Sequence, residues 1–275
     1  MKVVILTEAT GDNYSIEAGL ADDEKHFDHH GKWSSFPAPS NNSKIPVLGP
    51  EDVVEITHMD ADTLLGLFRM AGAPMPNLNY DLIEQVDLNG GSVVEDKMAP
   101  SYLFMLGVHL LARGLDFPRA EKEPQDVTRK VYEMIRTPIE KYIELGKESQ
   151  EASEKSFKEK LVEKKGKVGL WVVGENDAFN PSRPYDDGYD CVVVYRDHFK
   201  SISIYCAPES PYEFGNREVG GIKFAGHAKA CGSPRGENFT RDDAKKVFEA
   251  VVDEVENPHK HASILRYRGA FYIEV

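Results

Sequence analysis

The stretch "EDVVEITHMDADTLLGLFRMAG", residues 51–72, decides the fold class because a strand pattern runs directly into a helix pattern. The run "EDVVEIT" is short and β-branched, which is typical of a strand buried in an open sheet. After it, apolar residues recur at helical spacing, with carboxylates at the start and Gly72 near the end. This pattern predicts an amphipathic helix that leaves the C-terminal tip of the strand.

The same alternation extends over the first 118 residues. The run "KVVIL" at 2–6 predicts another buried strand, and "APSYLFMLGVHLLARG" at 99–114 predicts a second, more buried helix. Between the two strands, "FPAPSNNSKIPVLGP" is dense in Pro, Asn and Ser and is typical of a loop. Strands that alternate with helices predict an α/β domain with an open, mostly parallel sheet and flanking helices.

The composition changes twice beyond this point. Residues 119–165 are charged, helix-prone and poor in Gly, with Pro138 expected to start or kink a segment, so we interpret them as a solvated helical connector. The lysine-rich end could instead border a substrate groove, although a charge run alone does not show that. From 166 onward, "VGLWVV", "DCVVVYRD", "SISIYCA" and the final "ASILRYRGAFYIEV" predict strands. "TRDDAKKVFEAVVDEVE" predicts a helix capped by Thr240. Residues 166–275 are therefore predicted to form a smaller C-terminal α/β domain.

Composition limits the functional classes. The 275 residues are 41% hydrophobic and 29% charged, as expected for a globular protein. The formal net charge of -13 argues against a long duplex nucleic acid as partner, whereas a small phosphorylated molecule can bind where local cations or a metal reverse the field. The first apolar run is too short for a signal peptide or a membrane span. Three scattered cysteines without CxxC pairing indicate a reduced, cytoplasmic chain. No membrane partner is expected.

Two clusters of metal-ligand residue types follow predicted strands. The first, in "EKHFDHHGKW" at 24–33, contains Asp28, His29 and His30, with His26 just before them. The second contains His58, Asp60 and Asp62, whose alternation would place all three on one side of an extended backbone. Carboxylates combined with imidazoles suit Mn, Fe, Co or Zn, and strand tips in an open α/β sheet converge on one crevice.

A solvated side chain is the ordinary interpretation of a single surface histidine, and we apply it to His26 and His109. The six clustered residues are different, because unpaired ligand-type groups packed at strand tips would be electrostatically costly without a cation. The two clusters are sufficient to hold a pair of metal ions.

Three stretches resemble the DHH phosphoesterase superfamily. "FDHHG" at 27–31 matches the signature that names the family, and "THMDADTL" at 57–64 is similar to its other metal motif. "GIKFAGHAKACGSPRG" at 221–236 resembles the Gly-Gly-His stretch of the DHH-associated C-terminal domain, with Ala225 in place of the first glycine. The resemblance implies a catalytic domain over 1–118, a connector over 119–165 and a substrate-binding domain over 166–275. It also implies a centre of two metal ions, usually Mn²⁺, with Co²⁺, Fe²⁺, Zn²⁺ or Mg²⁺ as alternatives.

The resemblance also implies roles for individual residues. The implied metal ligands are Asp28, His29, His58, Asp60, Asp62 and Asp87, with Glu8 or Asp12 as a further candidate. His30 would be a ligand or a polarising neighbour, and His30 or Asp87 would take or return a proton. The implied substrate-binding residues are Gly226, His227 and Gly232, with Arg235 or Arg217. Alternatively, the Gly-His stretch is a tight strand-to-helix turn that needs glycine only for its backbone angles.

Two departures from the family pattern limit the functional prediction. DHH precedes the His-and-aspartate motif here, whereas most relatives have the reverse order, and the Ser-Arg-Lys type motif of the pyrophosphatase branch is missing. The sequence thus predicts a metal-dependent hydrolase acting on a small phosphorylated molecule, a nucleotide or a short oligonucleotide. A non-catalytic nucleotide-binding regulatory protein and a single-strand exonuclease are the alternatives, the latter disfavoured by the acidic charge. The oligomeric state is left open, with a homodimer as one possibility.

Overall fold

The computed structural model describes residues 1–22, 24–33, 35–175, 177–234 and 236–257. The predicted α/β class is confirmed, with parallel and antiparallel strands among helices. By its internal contacts the chain divides into two compact units, Met1–Glu151 and Ala152–Val275. The functional division at 118 and 165 stays a prediction, and the strand predicted at 262–275 lies outside the described residues.

The first unit contains a five-stranded sheet within the described ranges, in the order β3-β2-β4-β1-β5. Its strands are β1 (Lys2–Ile5), β2 (Tyr14–Ile16), β3 (His26–Phe27), β4 (Val53–Ile56) and β5 (Gln125–Asp126). The strands β3, β2, β4 and β1 are mutually parallel, and β5 pairs with β1 in the antiparallel direction. The carboxyl ends of three adjacent parallel strands, β3, β2 and β4, therefore meet at one edge of the sheet.

The helices of the first unit share one apolar core with this sheet. They are α1 (Ala61–Met70), α2 (Tyr80–Asn89), α3 (Pro100–Gly114), α4 (Thr128–Arg136) and α5 (Ile139–Glu159), of which α5 continues into the second unit. Val131, Met134 and Tyr142 are completely buried in this core. This part of the predicted connector is therefore core rather than solvated surface, because its apolar residues recur at helical spacing among the charges.

The second unit contains, in its described part, a six-stranded sheet in the order β12-β13-β9-β8-β7-β6 and a two-stranded β10-β11 ribbon. The strands are β6 (Leu161–Lys165), β7 (Val168–Val173), β8 (Cys191–Arg196), β9 (Ser201–Cys206), β10 (Glu218–Val219), β11 (Ile222–Lys223), β12 (Ala225–His227) and β13 (Ala230–Gly232). The helices are α6 (Arg183–Asp186) and α7 (Arg241–Glu256). Strand β6 corrects the prediction that 161–165 belongs to a helical connector.

The sheet of the second unit is buried on both faces. One face packs against α7, whose Val247, Phe248 and Val251 are fully buried, and the other face surrounds Trp171. The predicted Thr240 cap of α7 is confirmed, with a reciprocal capping box formed by Asp243. None of the described helices combines the length and the apolar character that crossing a bilayer requires.

Candidate metal centre

Potential ligands from three parallel strands meet at the carboxyl edge of the first sheet. Glu17 follows β2, the DHH residues follow β3, and the second motif follows β4. The backbone fixes Glu17 from both sides, since its N–H donates to Phe27 O at 2.9 Å and its carbonyl accepts from Thr57 Oγ1 at 2.6 Å. The strand pairing therefore brings Glu17 between the two sequence motifs.

Four side chains form a group that could hold a metal ion. Glu17, His29, His30 and Asp87 each offer one ligand atom, and these atoms all lie within 4.8 Å of one another. His29 Nε2 is 3.1 Å from Asp87 Oδ2 and 3.6 Å from Glu17 Oε1. His30 Nδ1 is 2.8 Å from Glu17 Oε2, and His30 Nε2 is 3.0 Å from Asp87 Oδ2. Imidazole nitrogens mixed with carboxylate oxygens are a donor set for a borderline divalent cation.

The backbone of Glu17 is unusual for a buried acid. Its φ of 52° lies in the left-handed region, which a non-glycine residue rarely adopts. Such a conformation costs about 1–3 kcal/mol and occurs preferentially at functional sites. The surrounding fold therefore holds Glu17 in a backbone conformation that a glutamate would not adopt by itself.

The second motif, at 57–64, has a different backbone conformation from the one predicted. Helix α1 begins at Ala61, and Asp60 caps it by accepting from Thr63 N–H at 2.9 Å. Asp62 consequently lies in the first helical turn, so the expected extended alternation of the three side chains is wrong. Asp62 still reaches the cluster, with Oδ2 3.4 Å from His29 Nε2, while His58 Nε2 contacts Asp60 Oδ2 at 2.8 Å.

Asp28 organises the loop that carries the two histidines. Its Oδ2 accepts from Gly19 N–H at 2.7 Å, and its Oδ1 accepts from His30 N–H at 2.8 Å. Burial alone would raise the pKa of Asp28, but the hydrogen bonds from His30 and Gly19 outweigh it and lower the pKa. Both carboxylate oxygens are thus committed to the backbone, which gives Asp28 a positioning role in this structure in addition to its predicted role as ligand.

The electrostatics of the cluster favour a cation. Five carboxylates (Glu17, Asp28, Asp60, Asp62 and Asp87) stand beside three imidazoles (His29, His30 and His58). Burial raises the pKa of Glu17 to about 7, and burial together with the charge of Glu17 raises the pKa of Asp62 well above its usual range. Hydrogen bonds that the His30 ring donates to Asp28 and Asp87, together with the nearby charge of Glu17, raise the pKa of His30. Even with every imidazole protonated, the carboxylates would outnumber the positive charges.

The buried oxygens provide a direct test of whether a metal fits. Within the described part of the chain, both Glu17 oxygens and Asp62 Oδ2 accept no hydrogen bond of acceptable geometry. The side chains of Glu17 and Asp62 are completely buried. Unpaired buried carboxylate oxygens are expensive unless a cation coordinates them, so the residues present fit a divalent metal.

The remaining first-unit candidates lie outside the four-residue group. Glu8 and Asp12 are exposed after β1. His26 is buried and its Nδ1 lies 2.9 Å from Ser15 Oγ, so it is a neighbour, as predicted, but not a solvated one. His109 is an exposed residue of α3. Asp87 does join the group, although it lies on α2 and not at a strand end as expected.

The second-unit candidates form a hairpin. Gly226 in β12 pairs with Cys231 in β13, so the proposed strand-to-helix turn is wrong. Gly226 has φ 124°, and a Cβ there would lie 2.9 Å from Ala230 O, so the position requires glycine. Gly232 pairs with Ala225 in the same hairpin. The backbone of His227 belongs to β12, its side chain is not described, and Arg235 lies outside the described residues.

Arg217 has a structural partner. Its Nη1 and Nη2 donate to the two carboxylate oxygens of Glu254 on α7, at 2.8 and 2.9 Å, and Nη1 also donates to Glu213 O. A bidentate pair of this kind occupies the guanidinium. This contact favours a structural role for Arg217 over the predicted phosphate contact.

The fold and the cluster define an α/β protein with a candidate divalent-metal centre at the carboxyl edge of a parallel sheet. No family model and no curated protein matches the chain. Among solved structures, it is similar to the pGpG-specific phosphodiesterase PggH from Vibrio cholerae, with 12% identity, a TM-score of 0.40, and coverage of 76% of this chain and 81% of that one.

Two further solved structures are similar to this chain, again with low sequence identity and low TM-scores. An exopolyphosphatase-related protein from Bacteroides fragilis has 13% identity and a TM-score of 0.32, covering 90% of this chain and 84% of that one. RecJ from Thermus thermophilus in complex with Mg²⁺ has 13% identity and a TM-score of 0.30, covering 68% of this chain and 37% of that one. All three TM-scores lie below 0.5, so these similarities assign no function to this chain.

Proposed function

We propose that this chain is a metal-dependent phosphoesterase that hydrolyses a small phosphorylated molecule, a nucleotide or a short oligonucleotide. The observation that carries the proposal is the group of Glu17, His29, His30 and Asp87, in which neither oxygen of the buried Glu17 accepts a hydrogen bond of acceptable geometry. Its position at the carboxyl edge of a parallel sheet is where open α/β proteins bind their ligands. The DHH motif supplies two of its four residues, His29 and His30, and Asp62 of the His-and-aspartate motif lies beside His29.

The chain would hold the metal with Glu17, His29, His30 and Asp87, and Asp62 lies close enough to His29 to join them. His58 and Asp60 are the candidates for completing a second position, with Mn²⁺ as the proposed ion. When bound, divalent ions would acidify water and neutralise charge on the phosphate oxygens. A second ion would need ligands outside the four-residue group, so the number of bound ions has to be measured.

Some residues would also have roles beyond holding the metal. Asp28 holds the His30 backbone and keeps the imidazole next to Glu17. His30 is 31% exposed whereas His29 is 2% exposed, so His30 is the better placed of the two to exchange a proton with substrate. In the second unit, the Gly226 hairpin is our candidate for contacting the substrate phosphate through backbone N–H groups.

A combined measurement of metal binding and hydrolysis tests the proposal. Metal content and Mn²⁺ titration calorimetry would be followed by a screen of phosphomonoesters, phosphodiesters, dinucleotides and end-labelled single strands. His29→Asn should abolish both binding and turnover, a larger effect than the roughly 10- to 100-fold loss typical of residues that only orient a ligand. His198→Asn, at an exposed imidazole in the second unit, is the matched control and should change neither.

The outcomes separate the candidate functions. A wild-type protein that binds no divalent ion would refute the proposal. Metal binding without hydrolysis of any phosphoester would favour a regulatory nucleotide-binding protein. Stepwise degradation of a labelled single strand would favour the exonuclease alternative.

A further inference from the structure

Trp33 lies immediately beside the candidate metal centre. It ends the short 3₁₀ turn Gly31–Trp33 that follows the DHH residues, and its backbone N–H donates to His30 O at 3.0 Å. Its indole N–H donates to Gly19 O at 2.9 Å, so the polar edge of the ring is satisfied. The side chain is only partly buried, which leaves ring surface available.

The hydrogen bonds of Trp33 attach it to both segments that carry the cluster. Gly19 lies two residues after Glu17, and its N–H donates to Asp28 Oδ2. One peptide segment therefore contacts both the DHH aspartate and the indole. The ring is thus fixed at the rim of the cluster and not on a distant surface.

The neighbours of the ring leave it suited to stacking. The exposed Lys32 places Nζ 4.5 Å from the Trp33 ring centroid, and Phe36 meets the ring edge-on at 6.1 Å and 77°. Lysine has a long flexible side chain and can leave the ring face when a ligand arrives. The other tryptophan, Trp171, is fully buried in the second unit.

We infer that Trp33 is the stacking platform for the base of a nucleoside phosphate, and that Lys32 then contacts the phosphate side of that ligand. The inference rests on the proposed function for the location of the phosphate, and it narrows the substrate class to nucleotides. Every nucleobase has a flat π-face, whereas sugar phosphates and inorganic polyphosphate have none. Stacking would also supply affinity that a chain with a formal net charge of -13 does not gain from non-specific attraction to phosphates.

Ligand titration of the intact Mn²⁺-loaded protein tests this inference. Adenosine monophosphate should quench the Trp33 emission of the wild type, and Trp33→Ala should remove the quenched component and leave only the Trp171 signal. By calorimetry, Trp33→Ala should weaken adenosine monophosphate binding by about 10-fold or more. Binding of ribose 5-phosphate, which has no base, should change less than about 2-fold, while Trp33→Phe should restore most of the nucleotide affinity.

The design separates failure of this inference from failure of the proposed function. Equal losses for adenosine monophosphate and ribose 5-phosphate, or no loss for either, would overturn the stacking role while hydrolysis by the wild type stands. Base-dependent quenching in a protein that hydrolyses no phosphoester would support the stacking site and remove the enzyme assignment. Where turnover occurs, Trp33→Ala should raise KM for the nucleotide and leave kcat within about 2-fold.

Discussion

Replacing Glu17 with glutamine tests whether its buried carboxylate exists to hold a cation. Burial raises the pKa of Glu17 from 4.5 to about 7 in the absence of metal. At 1.36 kcal/mol per pH unit, this difference corresponds to about 3 kcal/mol of stability. Because the pKa is raised in the folded state, that stability is present below pH 4.5 and is lost as the pH rises to about 7.

Glu17→Gln removes the charge and keeps the size of the side chain. Urea denaturation of chelator-treated protein at pH 8 should therefore show the variant to be more stable than wild type, by as much as about 3 kcal/mol. At pH 4.5 the two proteins should be nearly equal. With Mn²⁺ present the order should reverse, because the wild type gains ligand-linked stability and the variant binds the ion weakly.

Glu55 is the matched control, since it is also a buried glutamate of the same sheet. Its oxygens accept hydrogen bonds from Thr10 N–H, Thr10 Oγ1 and Asn13 Nδ2 at 2.7, 2.7 and 2.8 Å. Glu55→Gln should therefore destabilise the protein by about 1–3 kcal/mol without changing Mn²⁺ affinity. If Glu17→Gln behaved like Glu55→Gln, with lower stability at pH 8 and unchanged metal binding, the Glu17 carboxylate would not be a metal ligand.

Three further predictions concern the site and its support. Asp28→Asn should cost about 1–3 kcal/mol in urea denaturation even without metal, because an amide cannot accept both backbone N–H groups; a neutral result would contradict the positioning role. Mn²⁺ binding should release protons, and the affinity should weaken from pH 8 to pH 6. Burial lowers the pKa of His29, but the nearby carboxylates, with Asp87 the strongest, outweigh burial and raise it, so a proton competes with the metal. Calorimetry in buffers of different ionisation enthalpy measures the number of protons released. Gly107→Ala should lower the free energy of unfolding by at least about 3 kcal/mol, because the added Cβ would lie 2.0 Å from Tyr142 O. The control Gly114→Ala adds a Cβ with no atom within 4 Å and should leave the melting temperature nearly unchanged.

The clearest apolar patterns predicted their elements correctly. The runs at β1 and β4 are four-residue buried strands, and the helical spacing after residue 60 corresponds to α1. Their patterns are clear because packing against one core imposes a strict period on the apolar residues. The strands of the second sheet and α7 follow the same rule.

The short strands account for what the sequence did not reveal. β2 has three residues and β3 has two, too few for an alternation to be recognised. Glu17 was therefore not identified as a candidate ligand, although it follows an apolar residue at the end of β2. Asp87 was identified, but its environment on α2 could not be predicted because that helix has a weak apolar pattern.

The strand order explains how an unusual motif order can still build one site. The DHH motif leaves the edge strand β3 and the other motif leaves β4, and β2 lies between them in the sheet. Since all three strands are parallel, the residue after β2 must lie between the two motifs, and that residue is Glu17. The hydrogen bonds of Glu17 to Phe27 and Thr57 fix this placement. The ligand set therefore depends on which strands are neighbours, and the order of the motifs along the chain does not by itself prevent a functional centre.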